Sequence, residues 1–97
     1  MLFVVQFEDH PERLDVRQRD LPLHLAFLKH HAQHILGAGS LREQPEGPAV
    51  GSIWIVELPT KAEVETLCHQ DPFWTGGLRR SMRILHWAKA FPEPRLI

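Results

Sequence analysis

The segment Gly51-Ser52-Ile53-Trp54-Ile55-Val56-Glu57-Leu58 constrains the fold more than any other stretch of this sequence. It is rich in β-branched and aromatic residues. Alternation along a strand places Ile53 and Ile55 on one face and Trp54 and Val56 on the other. A strand that is apolar on both sides has to be covered on both. Pro59-Thr60 ends it, and Thr60 followed three residues later by Glu63 is a capping box. The box opens a helix from Lys61 to about His69, with Ala62, Val64, Leu67 and Cys68 on its apolar side. The chain therefore builds a sheet with helices packed on it.

The other elements fit around this pair. Leu2 to Phe7 is apolar on both faces and closes at Glu8-Asp9-His10-Pro11, which predicts a central first strand. Pro11 to Asp20 is strongly charged and reads as a loop or as a polar helical turn leading into the main helix. A helix is then expected from Pro22 to Leu36, with Asp20 as its cap and Gly37 as its stop. At 100° per residue, Leu25, Leu28, Ala32, Ile35 and Leu36 share one apolar sector, with His24 and His31 on its flank and His30 opposite. Ser40-Leu41-Arg42 reads as a short edge strand and Gln44-Pro45-Glu46-Gly47-Pro48 as a turn. Asp71-Pro72 ends the second helix, because the residue before a proline is pushed out of the α region. Ser81 to Phe91 reads as a last strand, framed by Gly76-Gly77 before it and Pro92 and Pro94 after it; a helix is the competing reading.

The order strand, helix, strand, strand, helix, strand predicts an α+β fold. It is the ferredoxin-like βαββαβ protomer, an antiparallel sheet with two helices on one face. The other face keeps residues such as Trp54 or Ile55, and apolar area on that scale normally marks an interface. A homodimer joined through the open sheet face is the expectation. The 97 residues are expected to form a single domain, since two halves would each lack a sufficient core.

Charge excludes some partners. A net charge of −1 and a pI near 6.6 provide no basic field for a phosphate backbone, so nucleic acid is not an expected partner. Arg79-Arg80 with Arg83 reads as a cluster facing solvent or an anionic small ligand, the solvated reading being favoured. No run approaches the roughly 20 apolar residues that span a bilayer. Cys68 is the single cysteine, so a reducing, cytoplasmic setting is expected, and a cysteine on the apolar side of a helix is usually inert. No phosphate-cradling glycine loop is present, and no organic cofactor is expected. His30 and His34, spaced i, i+4, with His31 or His10 nearby, are a weak metal pattern lacking the other ligands zinc needs, and no metal is assigned.

Taken in order, His24-Leu25-Ala26-Phe27-Leu28, Gly39-Ser40, Glu46-Gly47-Pro48 with Gly51, Asp71-Pro72-Phe73 with Gly77-Leu78, and Trp87 resemble the YciI-like (YCII-related) proteins. The match runs along nearly the whole chain. The resemblance implies a dimeric α+β barrel of ferredoxin-like protomers and a pocket with a histidine–aspartate pair, here His24 and Asp71. It also implies an arginine ahead of the histidine, matched by Arg17, with Arg19 close by. The loop from Leu41 to Val50 departs from the pattern in being poor in acidic residues, and His30, His31 and His34 are not part of it.

The pair makes chemical sense. If Asp71 accepts from one ring nitrogen of His24, it fixes the tautomer and leaves the other nitrogen to take a substrate proton. Phe73, Trp74 and Trp54 are candidate walls for a flat ligand, and Ser40 is a candidate lining residue. The bland readings stand beside these: Asp71 as a turn cap, His24 as a border residue satisfied by backbone, the aromatics as core. The expected function is general acid/base chemistry on a small cyclic or aromatic molecule, of lyase or elimination type. The alternatives are a non-catalytic dimeric module binding a small molecule or protein, or a cofactor-free oxygenase.

Overall fold

Alternating burial on the first strand sets up the whole molecule. In β1 (Leu2–Asp9), Phe3, Val5, Phe7 and Asp9 point inward, while the residues between them are exposed or half-buried. The computed structural model describes residues 1–93. After β1 come a 3-10 turn (Pro11–Arg13), α1 (Leu14–His30), β2 (Ile35–Arg42), β3 (Ala49–Glu57), α2 (Lys61–His69), a single turn α3 (Pro72–Thr75) and β4 (Arg79–His86). The strands form one sheet in the order β2-β3-β1-β4 with every neighbouring pair antiparallel. This is the ferredoxin-like α+β arrangement expected from the element order.

Both long helices lie on one face. Phe3, Val5, Phe7, Trp54, Val56 and Ile84 from the sheet pack with Val64, Leu67 and Cys68 of α2, and Phe27 and Leu28 of α1 lie against them. The capping box is formed in full: Thr60 Oγ1 accepts from the Glu63 amide at 3.2 Å and Glu63 accepts from the Thr60 amide at 3.1 Å. On the opposite face Val4, Ile53 and Ile55 are half-buried and Leu85 is exposed.

The main helix differs from expectation at both ends. It begins at Leu14, eight residues early, and stops at His30, so Pro22 is inside it. Pro22 is exposed, where water can meet the carbonyl that loses its donor. The inward line is Val16, Asp20 and His24, spaced four apart. Hydrophobic periodicity misses such a line because two of its three members are polar. Leu25 and Leu36, placed in the core by that periodicity, are 54% and 55% exposed. Gly37 does not cap the helix. It lies in β2 beside a register shift, and that strand runs from Ile35 rather than Ser40.

The last element is a strand, as read, but spans Arg79–His86 rather than Ser81–Phe91. Pro94 lies outside the described residues. Two glycines make close approaches that a side chain would block. A Cβ on Gly51 would sit 2.0 Å from the Phe7 carbonyl oxygen, and one on Gly76 2.5 Å from Oδ2 of Asp20. Gly77 has φ +86°, a backbone that favours glycine. Together Gly76 and Gly77 let α3 lie directly against α1.

Candidate active site

Five polar side chains from five different elements meet under α1. His24 comes from the inward line of α1, and Asp71 stands at the N-terminus of α3. Asp9 ends β1, Ser52 lies near the start of β3 and Arg79 opens β4. All five are buried.

Their contacts form a chain. Oδ1 of Asp71 lies 2.7 Å from Nδ1 of His24 and also accepts from the Phe73 amide at 3.1 Å. Asp71 is therefore both the cap of α3 and the partner of the histidine, so the two readings of this residue hold together. Its other oxygen accepts from Nε and Nη2 of Arg79, each at 3.3 Å. Nη1 of Arg79 donates to Asp9 Oδ1 at 3.1 Å and to Ser52 Oγ at 2.8 Å. Oδ2 of Asp9 then accepts from Nη2 of Arg17 at 2.6 Å.

The aromatic residues close the chain into a ring. The imidazole of His24 stacks on Phe73, with centroids 3.9 Å apart and planes 11° apart. The Arg17 guanidinium lies 4.9 Å from the same phenyl ring. Arg79 lies over Phe7 at 4.2 Å and is 5.1 Å from Phe73. The imidazole is thus held by a carboxylate at Nδ1 and by a ring across its face. Nε2 has no protein partner among the described residues, and the side chain keeps 7% of its surface.

Arg79 faces two carboxylates and Asp9 two guanidinium groups, which makes the burial tolerable. Burial pulls the Arg79 guanidinium below its ordinary range, and Asp71 and Asp9 oppose that pull. Counted with a neutral His24, Arg17 and Arg79 balance Asp9 and Asp71. Two donors in this region are buried without an acceptor, Nε of Arg17 and Nε1 of Trp54. The Trp54 ring is 6.3 Å from His24. Unpaired buried N–H groups are costly, and functional sites are a common reason for keeping them.

The residues singled out in the sequence separate into two groups. His24, Asp71, Arg17 and Phe73 are brought together. Phe73 is fully buried, so its ring supports the imidazole. Trp74 is half-buried against the core, with its ring 5.1 Å from that of His69 and its amide donating to the Asp71 carbonyl at 2.8 Å. Ser40 is exposed, pairs in register with Ser52, and accepts from Arg42 Nε at 3.3 Å. His34 is beyond the end of α1, so the i, i+4 relation with His30 does not exist. Among the described residues no group of three or more His, Cys, Asp or Glu is arranged to hold a metal ion.

Arg79 and Asp9 were not identified from the sequence as site residues, and the solvated reading of Arg79 is corrected here. It is 5% exposed, because two carboxylates and a hydroxyl replace its water shell. Asp9 had a legible signal: it is in phase with Phe3, Val5 and Phe7 on the inward face of β1. Arg79 had none, since unbroken alternation from Ile84 and Met82 would turn Arg80 inward and Arg79 outward, and only the register shift at Glu8/Asp9 sets Arg79 opposite Asp9.

A ferredoxin-like α+β domain with a buried histidine–aspartate pair is thus the class of protein that the fold and site define. The chain belongs to the YCII-related domain family, whose model matches residues 1–88. It is similar to the 5-chloro-2-hydroxyhydroquinone dehydrochlorinase of Burkholderia phenoliruptrix, solved in complex with 2,5-dihydroxybenzoquinone. The identity is 29%, the match covers 91% of this chain and 94% of that one, and the TM-score is 0.82. It is also similar in fold to an antibiotic biosynthesis monooxygenase, at 19% identity and TM-score 0.52, over 92% of this chain and all of that one. No curated protein matches the chain. Among the described residues no helix is long and apolar enough to cross a membrane.

Proposed function

We propose that this protein is a lyase-type enzyme for a small hydroxylated cyclic molecule, with His24 as general base and Asp71 as its orienting partner. The observation that carries this reading is the buried 2.7 Å contact between Nδ1 of His24 and Oδ1 of Asp71, with Nε2 left for a substrate. A carboxylate at Nδ1 favours the tautomer with its proton there, so the lone pair sits on Nε2. One ring hydroxyl first becomes a ketone as a proton is placed on the carbon that carries the leaving group; Nε2 then takes the proton of a second ring hydroxyl, and the electrons released through the ring expel the leaving group as its anion. The net change is loss of HX, which leaves a quinone-type ring. The 29%-identical dehydrochlorinase supports this class of reaction.

The unpaired donors Nε of Arg17 and Nε1 of Trp54 supply hydrogen bonds suited to the oxygens of such a ligand. Arg17 is the residue assigned to the substrate's negative charge. Ser40, on the same sheet face as Ser52, is assigned to the outer edge of the ligand site. The unit is a single YCII-related domain acting without an organic cofactor or metal. It pairs with a second copy through the sheet face that carries Val4, Ile53 and Ile55, and its unpaired thiol suits a cytoplasmic setting.

The test uses the purified protein and chlorinated hydroxyhydroquinones held reduced under anaerobic conditions. Chloride release and quinone absorbance are expected with the wild type and are lost in His24→Ala. Binding without release, unchanged in His24→Ala, would support the non-catalytic binding module instead.

A further inference from the structure

We propose that Asp9 and Arg79 are positioning residues that set the charge seen by the His24–Asp71 pair, so that the working unit of the site is the buried series His24, Asp71, Arg79, Asp9 and Arg17. The inference rests on the general-base reading of His24 and extends it to two residues that touch no substrate.

The geometry carries the argument. Arg79 engages only Oδ2 of Asp71, through Nε and Nη2, which leaves Oδ1 for the imidazole and the Phe73 amide. One carboxylate thus has its two oxygens assigned to different partners and cannot turn without breaking four hydrogen bonds. Asp9 repeats the arrangement one step further out, with Oδ1 on Arg79 and Oδ2 on Arg17. Signs alternate along the series, and every member except Arg17 is at least nine-tenths buried. In a medium of low polarity each charge acts on the next with little screening.

The charged groups around His24 are few. From α1 come Arg17 and Asp20, the latter held by Arg19 at 2.9 Å. Asp71 comes from α3, Asp9 from β1 and Arg79 from β4. The side chains from β3, Ser52 and Trp54, are uncharged, and Cys68 of α2 is a neutral thiol below its strongly raised titration range.

The arrangement predicts effects of opposite sign, which a purely structural role does not produce. The readout is the pH at which the His24 ring signals titrate in ¹⁵N-edited NMR of the unliganded protein. Asp9→Asn removes a negative charge and leaves the Arg79 and Arg17 guanidinium groups without the carboxylate they share, so titration moves to lower pH. Arg79→Gln removes the positive charge and exposes His24 to an unshared carboxylate, so titration moves to higher pH. Each displacement is roughly one pH unit, a tenfold change in proton affinity. The double variant returns close to the wild type.

If Arg79→Gln fails to fold, Asp9→Asn and Arg79→Lys decide. The first shifts the titration down, and the second, which keeps the charge, leaves it in place while lowering kcat more than it raises KM. Folded single variants that titrate with the wild type, or that move in the same direction, overturn the proposal. Because the titration, unlike kcat and KM, needs no substrate, failure to turn over any hydroxylated ring counts against the enzyme reading and leaves the titration result standing.

Discussion

The imidazole of His24 and the carboxylate of Asp71 meet at 2.7 Å although they stand 47 positions apart in the chain. α1 supplies one and the N-cap of α3 the other, and the Gly76-Gly77 pair that follows lets the two elements touch. The consequence is a histidine with one nitrogen committed and one available.

Asp71→Asn tests that relationship most directly. Asparagine caps a helix as well as aspartate does, so α3 persists. The variant replaces an acceptor for Nδ1–H by an amide and leaves Arg79 with Asp9 as its sole carboxylate. Turnover is expected to fall about 10²–10⁴-fold, the usual worth of a positioned base, with little change in KM. Stability falls too, by up to about 3–5 kcal/mol, as happens when one partner of a buried ion pair is removed. Steady-state kinetics and urea melts on the same preparation separate the two effects.

Gly51→Ala tests the sheet beneath the site. The added methyl would lie 2.0 Å from the Phe7 carbonyl oxygen, a backbone atom that cannot step aside alone. β1 and β3 have to separate, and Asp9 and Ser52 move with them. A loss of at least about 1–3 kcal/mol is expected from such overpacking. A variant with wild-type stability in a denaturant titration would rule the close approach out.

Cys68 gives a prediction in alkali. Burial pushes its thiol up to about 12, with Asp71 adding to the rise. Between the ordinary thiol value of 9.0 and about 12 the unfolded chain has lost this proton and the folded one has kept it. The unfolded state then binds fewer protons, so stability falls as pH rises through that window. Cys68→Ala is expected to flatten that part of the stability curve. At pH 8 the native thiol is expected to resist alkylation and to react fully in urea, as followed by mass spectrometry.

Ile55→Arg addresses association. Ile55 lies on the face away from the helices, and its neighbours in the sheet are Val4 of β1 and Gly37 of β2. Glycine there adds no side chain to cover it. If a second copy covers this face, a buried unpaired guanidinium disrupts the pair while far-ultraviolet circular dichroism stays native. Light scattering is expected to report a dimer for the wild type and a monomer for the variant. A wild-type monomer across the micromolar range contradicts the interface.

The sequence by itself determined the elements whose signals are local. Alternation in Leu2–Phe7 and Gly51–Leu58, the Thr60 and Glu63 box, and the break at Asp71-Pro72 each act within a few residues. The fold class follows from their order. The motif resemblance reached His24 and Asp71 as well. Tertiary structure decided the rest. Asp20 read as a helix cap, His24 as a border residue and Arg79 as solvated because hydrophobic periodicity assigns burial by residue type, whereas a charge enters a core when an opposite charge waits there. Asp9, Asp71, Arg79 and Arg17 are such partners for one another. They are scattered from β1 to β4, and their pairing exists only once the sheet is closed and α1 is laid across it.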